Sequence, residues 1–379
     1  MTRRVEDGPE GRLPQLTMKR RIMVMASSAL ATFAAALLLF TAFGLWTYNS
    51  PGPAARQGAQ TNVVLRHGAS LAEIASTLQT SGVIRSSPIF VAAAQVTGAS
   101  RALKAGEYAF PSGISLGRVM RMIRDGEIVR HYVTIPEGVT SEQAVAILTA
   151  NTVLTGSAPT PAEGSILPET YEVQRGADRA AVLQRMMNAR DKLLAELWPR
   201  RRPDLPFQTP EEAVTLASIV EKETAQATER PRVAAVFVNR LVKGMPLASD
   251  PTIIYGLTKG VPLGRGIRQS EIAAPTPYNT YHFAGLTPTP ICNPGRASIA
   301  AVLDPPRTNE LYFVANGPSS HAFAATAKEH EANVARWRVI EQQLKQQAGA
   351  GGAPAASPAE AMAAQAPAGG PGIRGAHVR

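Results

Sequence analysis

Cysteine is almost absent from this chain, which has a single one, Cys292, in 379 residues. One cysteine excludes an intrachain disulfide, so cysteine usage does not indicate the redox compartment. The six histidines form no HExxH pattern and no Cys/His ligand pairs. We therefore expect no structural or catalytic metal, and no cofactor.

Charge is absent from residues 22–46, an apolar run that follows a basic triplet at residues 19–21. At about 1.5 Å per helical residue, this run is long enough to cross a hydrocarbon core of about 30 Å. The basic flank predicts that residues 1–21 stay in the cytoplasm and that the rest lies outside. A cleaved signal peptide is the alternative, but its apolar region spans only about 7–15 residues. We therefore expect an uncleaved, single-span membrane anchor.

Acidic residues are the minority among the charged side chains, with 29 Asp and Glu against 39 Lys and Arg, a net charge of +10. The excess is dispersed, and the body of the protein is expected outside the cytoplasm, so nucleic acid is not an expected partner. Hydrophobic residues make up 45% of the chain, which is enough to bury a large core.

The part after the apolar run combines short strands with capped helices, a pattern that predicts an α+β fold. Residues 47–60 are expected to be a linker, and residues 61–130 a small α/β subdomain. This subdomain resembles a LysM-like peptidoglycan-binding module, although a purely structural subdomain is an open alternative. A strand at 63–65 and a helix capped by Ser70 and Glu73 begin it.

A larger mixed α+β domain is expected at residues 131–346, with a buried strand near 311–314 and a helix capped by Thr326. Residues 246–306 are rich in Pro, Gly, Thr and Asn and are expected to be a long functional loop. The Ala/Gly/Pro composition of residues 347–379 predicts a disordered tail.

Glu221 is the most informative residue, because it closes an apolar helical run. Thr209 is a good N-cap, Pro210 suits the first helical position, and Glu212 completes a capping box. Helical spacing places Glu221 on the inward stripe of Ala217. Lost hydration favours the neutral form of a carboxyl, which can donate a proton to a leaving group. A solvated last turn is the alternative.

Several segments in order resemble the YceG-like endolytic murein transglycosylases of bacterial inner membranes. The longer matches are residues 216–224 (LASIVEKET), 236–241 (VFVNRL), 247–256 (LASDPTIIYG), 277–281 (PYNTY) and 285–294 (GLTPTPICNP). The shorter matches are residues 136–138 (PEG), 168–171 (PETY), 312–314 (YFV) and 321–323 (HAF), followed by Thr326, Glu329 and His330. The resemblance covers nearly the whole part after the anchor.

The resemblance implies a catalytic acid/base at the first Glu of the VEKE run, which is Glu221. It also implies one transmembrane helix, a LysM-like subdomain and a periplasmic YceG-like catalytic domain held at the inner membrane. Two positions depart from the pattern: Ala248 stands where Gln is expected, and Cys292 stands where Ala is usual.

The implied reaction is endolytic cleavage of MurNAc–GlcNAc bonds in nascent glycan strands, which would terminate strand elongation. The muramic acid C6 hydroxyl attacks its own C1 and leaves a 1,6-anhydroMurNAc end. One carboxylate suffices, because the nucleophile belongs to the substrate. Glu221 would protonate the leaving oxygen and then accept the proton of the C6 hydroxyl. Glu223 has two open roles, electrostatic support or a surface ion pair.

Donors that orient the sugar are also expected. The candidates are Asn239, Arg240, Asp250, Tyr278, Asn279, Tyr281 and Asn293. For each of them, turn capping or a core hydrogen bond is the alternative. Arg240 lies on an inward stripe and therefore needs a carboxylate or a substrate as its partner.

Two other functions are compatible with the residues. A muramidase would use Glu223 or Asp250 as a second carboxylate and would add water to its product. A non-catalytic protein would hold peptidoglycan through residues 61–130. The expected partners are glycan strands and the inner membrane, with peptidoglycan synthases (penicillin-binding proteins) as further candidates.

Overall fold

The computed structural model describes residues 18–317 and 320–350 and divides the chain into two compact units, Met1–Val129 and Arg130–Arg379. The described residues form helices and three two-stranded antiparallel sheets. This mixture of helix and sheet confirms the predicted α+β class.

Helix α1 (Met18–Asn49) contains the apolar run that was expected to cross a membrane. Its segment Met25–Asn49 has a mean hydropathy of 2.0. Length and composition allow this segment to span a bilayer, a test that a signal sequence near an N-terminus also passes. The helix starts before residue 22 and extends into the expected linker, and residues 1–17 lie outside the described part.

The first unit follows α1 with two strands and three further helices. Its elements are β1 (Gln60–Leu65), α2 (Leu71–Thr80), α3 (Ser87–Val96), β2 (Gly106–Pro111) and α4 (Leu116–Asp125). The predicted cap of α2 is confirmed, because the side chains of Ser70 and Glu73 each accept a backbone N–H of the other. Tyr108 of β2 is buried, and its hydroxyl donates to the carbonyls of Lys104 and Ile123, which ties β2 to α4.

The second unit is built around three packed helices. Its first elements are β3 (His131–Thr134), α5 (Ser141–Ala150), β4 (Thr170–Val173), α6 (Arg179–Leu197), α7 (Pro210–Glu223) and α8 (Arg230–Val242). They are followed by α9 (Asp250–Thr258), α10 (Gln269–Ile272), α11 (Arg296–Leu303), β5 (Tyr312–Ala315), β6 (His321–Ala324) and α12 (Ala327–Ala350). Strand β3 pairs with β4, and β5 with β6. Helices α7, α8 and α11 share a core that includes Val220, Val233 and Val302.

Helix α7 begins where the sequence predicts. The Thr209 side chain accepts the N–H of Glu212, and the Glu212 carboxylate accepts the N–H of Thr209, with Pro210 at the first helical position. Every residue from 213 to 221 is buried. The alternative of a solvated last turn at Glu221 is therefore wrong.

Residues 246–306 hold more regular structure than expected, because α9, α10 and α11 lie within them. These helices have only 9, 4 and 8 residues. Such short stretches show too few turns for a helical period to stand out among Pro and Gly residues. At the other end, α12 reaches Ala350, so residues 347–350 of the expected tail are helical, and residues 351–379 lie outside the described part.

Candidate active site

Glu221 lies near the C-terminal end of α7 and is only 6% exposed. Its Oε2 atom accepts hydrogen bonds from the Gly295 N–H at 2.9 Å and the Ser298 hydroxyl at 2.7 Å. Both donors belong to the start of α11, where the helix dipole also favours a negative charge. Its Oε1 atom lies 3.4 Å from Nη2 of Arg230, the first residue of α8. Three helices therefore meet at this carboxylate.

The burial of Glu221 was predictable from helical spacing, whereas its hydrogen-bond partners were not. Gly295 and Ser298 lie 74 and 77 residues downstream, and no local pattern marks them as partners.

The loop after β3 is fastened to the segment that precedes α11. The Gly138 N–H donates to the Asn293 carbonyl at 3.0 Å, and the Asn293 N–H donates to the Val139 carbonyl at 2.9 Å. Gly138 has a φ of 76°, which glycine adopts without steric cost. The pairing places the preceding residue, Glu137, beside the Glu221 site.

Glu137 is a second carboxylate at Arg230. Its Oε2 atom lies 3.6 Å from the same Nη2 atom that Glu221 approaches. Unlike Glu221, its side chain is 42% exposed. Burial and then the negative charge of Glu221 raise the pKa of Glu137, and Arg230 opposes them. Glu137 lies in the family match at residues 136–138, but no role was predicted for it. The second carboxylate of a muramidase was expected at Glu223 or Asp250.

Glu223 belongs to a separate polar cluster. The Ser249 hydroxyl donates to its Oε1 atom at 2.5 Å, and the Tyr281 hydroxyl donates to the adjacent Asp250 at 2.7 Å. Burial raises the pKa of Glu223 to about 7, the Ser249 hydrogen bond opposes this, and the charge of Asp250 adds to it. Its hydrogen-bond partner is thus a hydroxyl, and Arg240 acts on it only through its charge. A hydroxyl partner does not fit a surface ion pair with Lys or Arg, and electrostatic support of Glu221 by Glu223 stays a prediction.

Asn239 and Arg240 hold the segment before β5. The Asn239 amide donates to the carbonyls of Thr308 at 3.0 Å and Glu310 at 2.9 Å. The Arg240 Nε donates to the Leu311 carbonyl at 2.6 Å. Arg240 was expected to need a carboxylate or a substrate, but its hydrogen bonds go to backbone carbonyls instead.

The amides of Asn279 and Asn293 are enclosed by the protein. Asn293 is 0% exposed; its Nδ2 donates to the Val139 carbonyl at 3.1 Å and to Glu163 at 3.2 Å, and its Oδ1 accepts the Ile166 N–H at 3.2 Å. Asn279 is 1% exposed and donates to two carbonyls near the end of α10 at 2.8 and 2.7 Å. Both side chains stabilise the fold, and their burial does not support a sugar-binding role.

Tyr281 and Asp250 are the predicted sugar-binding residues that solvent reaches most readily. Tyr281 is 40% exposed, and Asp250 is exposed at the first turn of α9. Tyr278 is half-buried, hydrogen-bonded to Thr289 at 2.8 Å, with its ring centroid 5.1 Å from that of Tyr255. Of the predicted sugar-binding residues, Tyr281 and Asp250 are therefore accessible to solvent, whereas the amides of Asn279 and Asn293 are not.

The two departures from the family pattern have structural consequences. Ala248, in the position expected for Gln, has a φ of 51° and donates its N–H to the Thr280 carbonyl at 2.9 Å. Cys292 is buried with its Sγ 3.3 Å from the Ser218 carbonyl, and burial raises the pKa of its thiol well above the usual range. A buried, protonated thiol is a poor nucleophile.

The last feature of the described residues is the placement of side chains that could bind a metal ion. Across residues 18–317 and 320–350, no three His, Cys, Asp or Glu side chains are grouped so that they could hold a metal ion.

Comparison with known proteins gives consistent matches. An endolytic murein transglycosylase of Bacillus subtilis (strain 168) is 28% identical over 303 residues, covering 71% of this chain and 82% of that protein. One from Streptococcus pneumoniae (serotype 2, strain D39) is 29% identical over 322 residues, covering 72% of this chain and 57% of that protein. A crystal structure of a yceG-like protein from Listeria monocytogenes is 27% identical and covers 72% of this chain and 98% of that one, with a TM-score of 0.46. The model of the YceG-like family matches residues 63–336, and this chain therefore belongs to the YceG-like family.

Proposed function

We propose that this chain is an endolytic murein transglycosylase with Glu221 as its catalytic acid/base. Relatives of this name match more than two thirds of the chain. The observation that carries the proposal is the buried carboxylate of Glu221, held between α7, α8 and α11 by Gly295, Ser298 and Arg230. The proposed substrate is the MurNAc–GlcNAc bond within a peptidoglycan strand.

The proposed step conserves every atom of the substrate. Glu221 donates a proton to the glycosidic oxygen while the C1–O bond breaks and its electron pair goes to that oxygen. The C6 hydroxyl of the same muramic acid then forms a bond to C1, and its proton goes to Glu221. The products are a free strand end and a 1,6-anhydroMurNAc end, and the carboxyl returns to its starting state.

The surroundings of Glu221 suit a carboxyl that must stay in one position. Hydrogen bonds from Gly295 and Ser298 and the contact with Arg230 fix its orientation, and the side chain is buried. Proton transfer to a leaving group requires a carboxyl that is held in place in this way.

Placement in the cell is part of the proposal. Helix α1 would anchor the protein in the inner membrane, with residues 1–21 in the cytoplasm and the second unit in the periplasm. The first unit, with its two-stranded sheet and flanking helices, would hold glycan as a LysM-like module. Cleavage of nascent strands near penicillin-binding proteins would terminate strand elongation.

The test is mass spectrometry of soluble fragments after incubation of peptidoglycan with the full chain in detergent. Wild type should release internal 1,6-anhydroMurNAc ends, and Glu221→Gln should release none. Glu172→Gln is a matched control, because Glu172 is an exposed carboxylate of β4 paired with Arg130 at 3.3 Å. Anhydro ends that persist in Glu221→Gln would reject Glu221 as the acid.

Hydrolysis is the second candidate, and Glu137 is the observation that favours it. A muramidase needs two carboxylates, and Glu137 and Glu221 lie against the same nitrogen of Arg230. Its products would be heavier by one water than anhydro ends. The same mass spectra therefore separate the two reactions.

A further inference from the structure

The shared contact at Arg230 joins two carboxylates that differ in their surroundings. Arg230 has a side chain that is only 10% exposed, and its Nη2 atom lies 3.4 Å from Glu221 and 3.6 Å from Glu137. Glu221 has two further donors, whereas Glu137 contacts Arg230 with a side chain that is exposed to solvent. One cation therefore divides its attraction between a buried and an exposed carboxylate.

The backbone holds Glu137 in this position. Gly138, the next residue, donates to the Asn293 carbonyl at 3.0 Å, two residues before Gly295. A side chain at Gly295 would overlap the Glu137 carboxylate, so glycine there leaves the space that Glu137 fills. The N-terminal end of α11 thus donates hydrogen bonds to Glu221, and its glycine leaves space for the Glu137 carboxylate.

The charged and titratable groups around the pair come from each neighbouring element. Arg230 approaches from α8 and Glu137 from the loop after β3. Lys222 of α7 donates from Nζ to the Gly138 carbonyl at 3.3 Å. Burial is the main cause of the raised pKa of the Cys292 thiol, and the charge of Glu221 adds to it. The pKa of Glu137 is raised most by burial and then by Glu221; Arg230 lowers it, and Glu169 has the smallest raising effect. Of these groups, Arg230 contacts Glu221 directly, and Glu137 contacts the same nitrogen of Arg230.

We propose that Glu137 and Arg230 are positioning residues that act through their charges on the proton-transfer step of Glu221. The proposal rests on Glu221 being the acid/base of the proposed function. The two carboxylates face the same nitrogen of Arg230, so a negative charge on Glu137 opposes a negative charge on Glu221 by Coulomb repulsion. The positive charge of Arg230 acts on Glu221 in the opposite sense.

The first test is the pH dependence of kcat/KM for anhydro-end formation by the full chain in detergent. In Glu137→Gln the alkaline limb of the profile should move to lower pH by about one unit, since a nearby negative charge has been removed. Glu137→Asp keeps the charge and should restore the limb. Glu172→Gln is the control, with a side chain 44% exposed beside Arg130, and should leave the limb in place.

The outcomes of this test separate the two proposals. A fully active Glu137→Gln enzyme with an unmoved limb would overturn the role of Glu137 and leave the transglycosylase function intact. Loss of activity at every pH, in a variant with the wild-type Tm, would also overturn it, since Glu137 would then act on the substrate directly. Wild type without anhydro ends would count against the proposed function alone.

A second test does not depend on activity. Tm is measured at pH 4 and pH 8 for Glu137→Gln, Glu221→Gln and the double variant, again as the full chain. At pH 4, where carboxylates are largely protonated, the Tm shift of the double variant should equal the sum of the two single shifts. At pH 8 the two single shifts should not add, because each replacement relieves the same repulsion. Shifts that add at both pH values would show that the two carboxylates do not interact and would overturn the proposal.

Discussion

Replacement of Glu223 by Gln should make the protein less sensitive to alkaline pH. In the folded protein, burial raises the pKa of Glu223 from 4.5 to about 7. The neutral acid is thus the form that the fold accommodates beside Ser249 and Asp250. Gln is close in shape to the protonated acid and keeps an oxygen that accepts the Ser249 hydroxyl, but it does not titrate.

The sign and size of the effect follow from this pKa. A carboxyl whose pKa is raised by folding binds its proton more tightly in the folded chain than in the unfolded one. Its contribution to stability is therefore full below pH 4.5, declines as the pH rises towards about 7, and is lost above that value. Between pH 5 and pH 8 the free energy of unfolding should fall by about 2.5 kcal/mol because of Glu223 alone.

The assay is denaturant unfolding of wild type and Glu223→Gln, as full chains in the same detergent, at pH 5 and pH 8. The variant should gain about 2.5 kcal/mol relative to wild type between the two pH values. Glu172→Gln, which replaces an exposed carboxylate, serves as the control and should show little change. If Glu223→Gln and wild type differ by the same amount at both pH values, the burial argument for Glu223 is refuted.

Three further changes test the fold and the site. Ala248→Gly should raise the free energy of unfolding by about 1 kcal/mol in a denaturant titration, since the φ of 51° at this position suits glycine. Thr209→Ala should lower it by about 1 kcal/mol through loss of the α7 cap, and no change would mean that the capping box is unimportant. Asn293→Ala should lower it by about 2 kcal/mol but leave KM of the folded enzyme unchanged; a raised KM would restore Asn293 as a sugar-binding candidate.

Elements marked by local signals were predictable from the sequence. The α7 cap depends on Thr209, Pro210 and Glu212, which lie within four residues of one another, and the inward side of the helix follows from its period. The burial of Glu221 could be predicted for the same reason. Local geometry determines each of these features, so each can be predicted from the sequence alone.

Contacts between distant residues could not be predicted in this way. Ser298 and Gly295 reach Glu221 only because α11 packs on α7, and nothing near residue 295 indicates that packing. The amides of Asn279 and Asn293 suited sugar recognition by type, but the fold uses them to hold its own backbone. Residue type indicates what a side chain can bind, whereas its burial decides what it does bind.

The backbone pairing of Gly138 with Asn293 also bears on how the activity arises during synthesis. The acid site needs a loop at residue 137 and a helix that starts after residue 295, so neither half of the second unit contains it. A chain that ends before residue 295, whether unfinished or cut, lacks both hydrogen-bond donors that hold Glu221, Gly295 and Ser298. Under the proposed function, cleavage would begin only once nearly the whole second unit has been synthesised and folded.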